Sequence, residues 1–268
     1  MNTGIIGYGS MGKMLLEKFA DSGLVSGTLS VATRTTGKLE SISRPVNICR
    51  DNRELAACSD VIFLCVRPGD IRTVLEEIRP ELKENSLIVS LNGSVTFEQM
   101  GKIVKQKTAK VIPSVTAEIG QSQTLVCFNK LVSAEEKQEL IRLLRCIGDV
   151  IELPENEMGM GSELVSCMPG FIASIFDVIC KSAKAHTEIP YEQIVQMVLK
   201  TMCATGELML KDQMSFEEIV SRVATKGGIT EEGTKVVYEQ FPDTADELFE
   251  KTLAKRRLTA ETAEAYFR

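Results

Sequence analysis

The fold that this sequence predicts is an α/β domain followed by an all-helical one. Three observations carry that reading. Short β-branched apolar runs alternate with amphipathic segments over the first 155 or so residues. No convincing strand follows Pro154, where apolar residues recur only at helical spacing. A glycine-rich turn joins the first strand to the first helix.

The candidate strands are Asn2–Ile6, Thr28–Thr33, Val46–Cys49, Asp60–Val66, Ser86–Leu91, Lys110–Val115, Thr124–Phe128 and Val150–Leu153. Helical patterns fall between several of them, at Ser10–Ser22, Asp70–Ile78, Phe97–Lys105 and Ala134–Ile147. Strands that are apolar throughout, with helices between them, indicate a mainly parallel sheet covered on both faces. The closely spaced later strands add an antiparallel edge.

Past residue 156 the segments Gly170–Ala185, Tyr191–Leu210 and Ser215–Ala224 repeat apolar residues helically, and Thr244–Phe267 reads as two charged helices. Pro169 and Pro190 mark helix starts or kinks. Residues 1–156 are thus expected to form a Rossmann-like dinucleotide-binding domain, and residues 157–268 a helical dimerisation and substrate domain. So much apolar surface on few helices favours burial in a partner subunit.

A net charge of −6 supplies no basic field, so neither nucleic acid nor an anionic membrane is an expected partner. No apolar stretch is read as approaching the roughly 20 residues needed to span a bilayer. A strand begins at once, so no signal peptide is expected. The eight cysteines show no Cys-x-x-Cys pair and sit largely in apolar runs, and there is a single histidine, His186. That pattern suggests a reducing, cytoplasmic setting and no metal site. His186 reads as a surface residue near a helix end, Arg256-Arg257 as a solvated helix face, and Met158, Met160 and Met168 as packing at a subunit interface.

Gly7-Tyr8-Gly9-Ser10-Met11-Gly12 follows a strand and opens a helix, the context in which G-x-G-x-x-G binds a dinucleotide. The first glycine permits the tight turn, the second lets the pyrophosphate reach the backbone, and the third lets helix and strand pack closely. The helix start then presents free N–H groups to phosphate. NAD sites carry an acidic residue roughly 20 positions further on. Here that place reads Val31-Ala-Thr-Arg-Thr-Thr-Gly-Lys38, with no carboxylate. Arg34 can pair with a 2′-phosphate, Thr33, Thr35 and Thr36 can donate hydroxyl hydrogen bonds, and Lys38 adds charge. NADP(H) is therefore the expected cofactor. Val66-Arg67-Pro68 ends a central strand and should face it, while Asn52 suits either a helix N-cap or a ligand contact.

In the helical half, Arg222-Val-Ala-Thr-Lys-Gly-Gly-Ile-Thr-Glu-Glu-Gly-Thr-Lys235 stands apart. One helix ends, Gly227-Gly228 frees the backbone, and another begins near Thr230, aiming N–H groups at a small anion such as a carboxylate. A plain glycine turn with Thr230 as N-cap fits the spacing equally well.

With these pieces in order, the sequence resembles the pyrroline-5-carboxylate reductases essentially end to end. The Gly7–Gly12 turn, the strand leading to Arg34, Asp60–Pro68, Ser90-Leu-Asn-Gly-Ser94 and Thr225–Thr230 correspond to family segments. The resemblance implies a helical domain interlocked with a second subunit, as a dimer or a ring of dimers, and hydride transfer from NADPH to the C=N bond of a cyclic imino acid. It implies that Gly227, Gly228, Ile229 and Thr230 hold the substrate carboxylate and ring nitrogen, with Thr225 supporting the loop and Thr230 as the catalytic residue. It also brings Asn92 near the nicotinamide. Departures are Ile112-Pro-Ser-Val-Thr116 for Met-Pro-Asn-Thr-Pro, Val165-Ser-Cys-Met-Pro169 for Ser-Gly-Ser-Gly-Pro, and Glu231-Glu232 opening the last helix. These resemble the reductase-like branch encoded with bacterial competence operons. They open a second reading, an NADP(H)-binding protein with a regulatory or assembly role. A β-hydroxyacid dehydrogenase reading is disfavoured, because no lysine follows Gly159-Met-Gly161 until Lys181.

Overall fold

In the computed structural model, which describes residues 1–267 and the side chains of all of these but Thr36, Lys38 and Ser41, eight strands form one sheet. They are β1 (Thr3–Ile6), β2 (Leu29–Ala32), β3 (Asn47–Ile48), β4 (Val61–Leu64), β5 (Leu87–Ser90), β6 (Lys107–Ile112), β7 (Ser122–Phe128) and β8 (Gly148–Glu152), in the order β3-β2-β1-β4-β5-β6-β7-β8. The first six run parallel. β7 pairs antiparallel with β6 and carries β8 parallel to itself, so the antiparallel edge is two strands wide.

Every residue of β1, β2, β4 and β5 is buried, because helices cover both faces. These helices are α1 (Ser10–Ser22), α2 (Asn52–Cys58), α3 (Pro68–Ile78), α4 (Phe97–Gly101) and α5 (Ala134–Leu144). The pleat sends Ile5, Val31, Phe63 and Val89 into one apolar layer with Leu15, Phe19 and Leu143. Ile6, Ile62, Leu64 and Ile88 enter the other, with Leu55, Ile71 and Leu75. Helix starts are set locally. Thr96 with Gln99 and Ser133 with Glu136 form reciprocal capping boxes at α4 and α5.

By packing, the chain divides into Met1–Pro169 with Leu253–Arg268, and Gly170–Thr252. A cut after residue 156 follows the change from strands to helices, whereas packing keeps the next turns with the sheet. Met158, in α6 (Met158–Ser162), is buried among Ile112, Leu125 and Cys127. It therefore packs within its own chain rather than at a subunit interface. A π-helical turn, Glu163–Cys167, links α6 to α7 (Met168–Lys184). Ala263 and Phe267 belong to the second apolar layer, and Tyr266 O accepts a hydrogen bond from Arg72 Nη1 at 2.8 Å.

The second unit is helical: most of α7, α8 (Tyr191–Asp212), α9 (Phe216–Val223) and the start of α10 (Ile229–Ala265). Pro190 is the N-cap of α8. The two charged helices expected over Thr244–Phe267 are one, since α10 runs unbroken for 37 residues with Pro242 inside it. Nothing after Pro242 stops a helix: no glycine or proline lies between it and Ala265. Large apolar side chains stand open on this unit, among them Val178 on α7, Leu210 on α8 and Phe216 on α9. The helical run Glu155–Lys184 is long and apolar enough to cross a membrane by length and composition, its most apolar 18-residue stretch having a mean hydropathy of 1.6. The expectation that no such stretch exists is corrected here. Glycine, serine and cysteine break the run visually while charging it little.

Candidate dinucleotide and substrate sites

The carboxyl ends of β1, β2 and β4 open into a cleft of about 700 Å³. This is where open parallel sheets take ligands. β1 ends in a turn that only glycine permits. Gly7 has φ +97°, and a Cβ there would stand 2.6 Å from Cys65 O. A Cβ on Gly12 would stand 2.0 Å from Gly7 O, so α1 and β1 are in backbone contact. Gly9 differs: nothing lies within 4 Å of an added Cβ. It is the N-cap of α1, no side chain caps that helix, and no acid occupies its first turn. The first-turn amides of Ser10, Met11 and Gly12 are therefore left to an anion. A tight turn, an open second glycine and an uncapped helix start are what a pyrophosphate requires.

Of the expected contacts, Gly7, Tyr8, Gly9, Arg34, Thr35, Asn52, Val66 and Arg67 line the cleft. Thr33 lines it as well, while the side chains of Thr36 and Lys38 lie outside the described residues. Arg34 is 84% exposed and pairs with Asp70 at 3.2 Å. Asn52 is the first residue of α2 rather than its cap. Asp51 is the cap, accepting from Glu54 N, and that N–H holds the Asp51 carboxyl below the usual range. The Asn52 amide instead donates to Glu77 at 2.8 Å. Pro68 is the first residue of α3 and borders a separate, shallower groove with Tyr266. Asn92 turns its side-chain oxygen onto its own loop, accepting from Ser94 N at 2.7 Å and Val95 N at 3.2 Å. Cys65 lies at the cleft floor, where burial pushes its thiol up to about 12 and keeps it protonated.

Sequence reasoning missed Arg50 and Asp70, which also line the cleft. A positional signal existed for Arg50. Arg34, Arg50 and Arg67 each follow closely on the end of a strand, β2, β3 and β4 in turn. β3 is only two residues long, which hid that place.

In the helical unit, Thr225–Thr230 forms the turn between α9 and α10. Gly227 has φ +73°, Gly228 N donates to Thr225 O at 2.8 Å, and α10 starts at Ile229, one residue before the expected position. The Glu231 carboxylate folds back and accepts the Gly227 N–H at 2.6 Å. Ile229 is 95% exposed.

A buried ion pair lies in the first unit. Glu163, 2% exposed in the π turn, accepts from Arg256 Nε at 2.9 Å and Nη2 at 2.7 Å on the same oxygen. Arg256 also reaches Ser162 Oγ at 3.1 Å. The solvated face expected at Arg256 is thus, at that residue, a partly buried clamp on Glu163. The sequence offers no cue to partners 93 positions apart.

Residues 2–93 match the family described as NADP oxidoreductase, coenzyme F420-dependent, and residues 155–258 match the pyrroline-5-carboxylate reductase dimerisation family. The chain is 34% identical over 262 residues to pyrroline-5-carboxylate reductase 3 of Bacillus subtilis, covering 96% of each chain. It is 26% identical over 259 residues to ComE operon protein 4 of the same organism, covering 95% of each. Its fold is that of a pyrroline-5-carboxylate reductase from Coxiella burnetii, with a TM-score of 0.86 at 24% identity, covering 98% of both chains.

Proposed function

The chain belongs to the pyrroline-5-carboxylate reductase family, and on that premise we propose that it reduces 1-pyrroline-5-carboxylate to proline with NADPH. The observation that carries the proposal is the open, uncapped start of α1 at Gly9 beside the Arg34 guanidinium, in one cleft. Together they suit a pyrophosphate and an additional phosphate.

In this reading the amides of Ser10, Met11 and Gly12 hold the pyrophosphate, and Arg34 and Thr35 take the 2′-phosphate. Asn52, Val66 and Arg67 border the ribose and nicotinamide end, with Pro68 following as the first residue of α3 and Asn92 on the next strand's loop. Bound NADPH supplies a hydride to the carbon of the C=N bond, and the nitrogen gains a proton, giving the secondary amine. Gly227 and Gly228 shape the turn, Ile229 presents its backbone N–H to the substrate carboxylate, and the Gly227 N–H joins it when Glu231 gives way. Thr230, in the first turn of α10, donates its hydroxyl to the substrate, and Thr225 braces the turn through the 2.8 Å bond from Gly228 N. These residues contribute alignment, which is the main demand of a hydride transfer.

The chain acts as a dimer through its helical segment in this proposal, supported by the dimerisation-family match and by open apolar residues such as Leu210, 84% exposed. Assembly of such dimers into a ring, and a cytoplasmic location in keeping with eight free thiols, complete it.

One observation favours a second reading, an NADP(H)-binding protein with little turnover and a regulatory or assembly role. Glu231 occupies the Gly227 N–H that a substrate carboxylate would use. One experiment separates the two. NADPH oxidation is followed with racemic pyrroline-5-carboxylate, using wild type and Thr230→Ala. Turnover that is lost in the variant supports reduction; tight NADPH binding without turnover supports the second reading.

A further inference from the structure

Nucleotide sites usually select one phosphate pattern by placing either an acid or a cation at the end of β2. This chain has Arg34 there and no acid nearby in sequence, yet an acid arrives from elsewhere. Asp70 stands in the first turn of α3, lines the same cleft, and holds Arg34 Nη2 at 3.2 Å. It is kept in place by its own N–H, which donates to Arg67 O at 3.0 Å, and its charge is favoured at a helix start. The Asp70 side chain is only 34% exposed, while that of Arg34 is 84% exposed. The acid is therefore the more enclosed partner and the arginine the more exposed one.

We propose that Asp70 sets the strength of the NADPH preference by competing with the 2′-phosphate for Arg34. This rests on the assignment of the cleft to NADP(H). Gripping the 2′-phosphate through the Nη2 group takes that group from Asp70, and the carboxylate then faces the incoming anion. NADH, with no 2′-phosphate, leaves the Arg34–Asp70 pair intact. Asp70 thus weakens NADPH binding without weakening NADH binding.

The test is titration of NADPH and NADH by nicotinamide fluorescence on the full chain, for wild type, Asp70→Asn, Arg34→Ala and the double variant. Asp70→Asn is expected to lower the NADPH Kd about threefold or more, the range an exposed ion pair commands, and to leave the NADH Kd within about twofold. In the Arg34→Ala background the same change should tighten NADPH clearly less, since only direct repulsion of the phosphate remains and the competition for Arg34 is gone. Asp70→Ser, also suited to a first helical turn, should reproduce the tightening if folding is intact. An NADPH Kd that stays the same or rises in Asp70→Asn overturns the proposal, as does equal tightening in both backgrounds. Wild type that binds neither nucleotide overturns the cofactor assignment itself, a separate and recognisable failure.

Discussion

An added Cβ on Gly12 would meet the carbonyl oxygen of Gly7 at 2.0 Å, so the first helix and first strand touch through bare backbone. Gly12→Ala must force them apart, at a cost of about 1–3 kcal/mol or more. Gly9→Ala meets no atom within 4 Å. Its melting temperature should match wild type while NADPH binding is lost, because the methyl group fills the approach to the helix start. Calorimetric melts alongside fluorescence titrations read both effects. A Gly9→Ala protein that keeps its NADPH affinity would contradict the placement of the pyrophosphate.

Arg34→Ala should weaken NADPH by about tenfold or more, the worth of a charge-assisted contact, and leave NADH nearly unchanged. The ratio of the two dissociation constants is the measurement. Unchanged selectivity would remove Arg34 from the site.

Glu231→Gln removes a negative charge from the turn and weakens the hold on the Gly227 N–H. If that turn receives a carboxylate, KM for pyrroline-5-carboxylate should fall several-fold, by about 3–10, with kcat little changed. Initial-rate kinetics decide it, and a higher KM would show that Glu231 supports the loop instead.

The Glu163–Arg256 pair predicts an asymmetry in stability. Removing one partner, as in Arg256→Met, should cost about 3–5 kcal/mol by leaving Glu163 buried without its partner. Replacing both, as in Glu163→Leu with Arg256→Met, should restore much of the loss. Denaturant melts of the three variants test this, and a double variant less stable than the single would refute it.

Acid should weaken the end of the sheet where the central strands β1 and β4 begin. Burial raises the Asp60 carboxyl, but the Lys83 ammonium at 2.7 Å and the Asn2 N–H at 2.7 Å more than offset it, holding it below the ordinary value. A carboxyl that titrates lower in the folded chain than in the unfolded one stabilises the fold at pH above its unfolded value, about 3.9. That contribution disappears as pH falls through the folded value. Asp60→Asn should therefore lower stability at neutral pH and flatten its decline below about pH 4, measured by thermal melts from pH 7 to 3.

Much of this molecule is legible in its sequence because the rules involved are local. The alternation of Ile5 and Ile6 between layers, and the run Val61–Leu64 buried on both faces, follow from strand period and apolar content. The Gly7–Gly12 turn announces its geometry because each glycine has a separate steric reason. What stayed hidden depends on distance along the chain. Asp70 meets Arg34 across 36 positions, and Arg256 meets Glu163 across 93. Of the two roles open to Asn52, the cap belongs to Asp51, because either residue type serves and only the backbone decides which one stands at the helix start. The continuity of α10 past Pro242 was obscured because proline usually ends a helix.

The second apolar layer of the nucleotide unit is completed by Ala263 and Phe267, residues made long after its strands, which come from the first 152 positions. During synthesis the sheet must therefore wait for the helical segment to emerge from the ribosome before its own interior can close. A fragment ending at residue 169 would lack that closing piece. Expressing residues 253–267 as a separate peptide and restoring it to such a fragment would complement the missing interior, making this enzyme a natural candidate for split-protein reassembly.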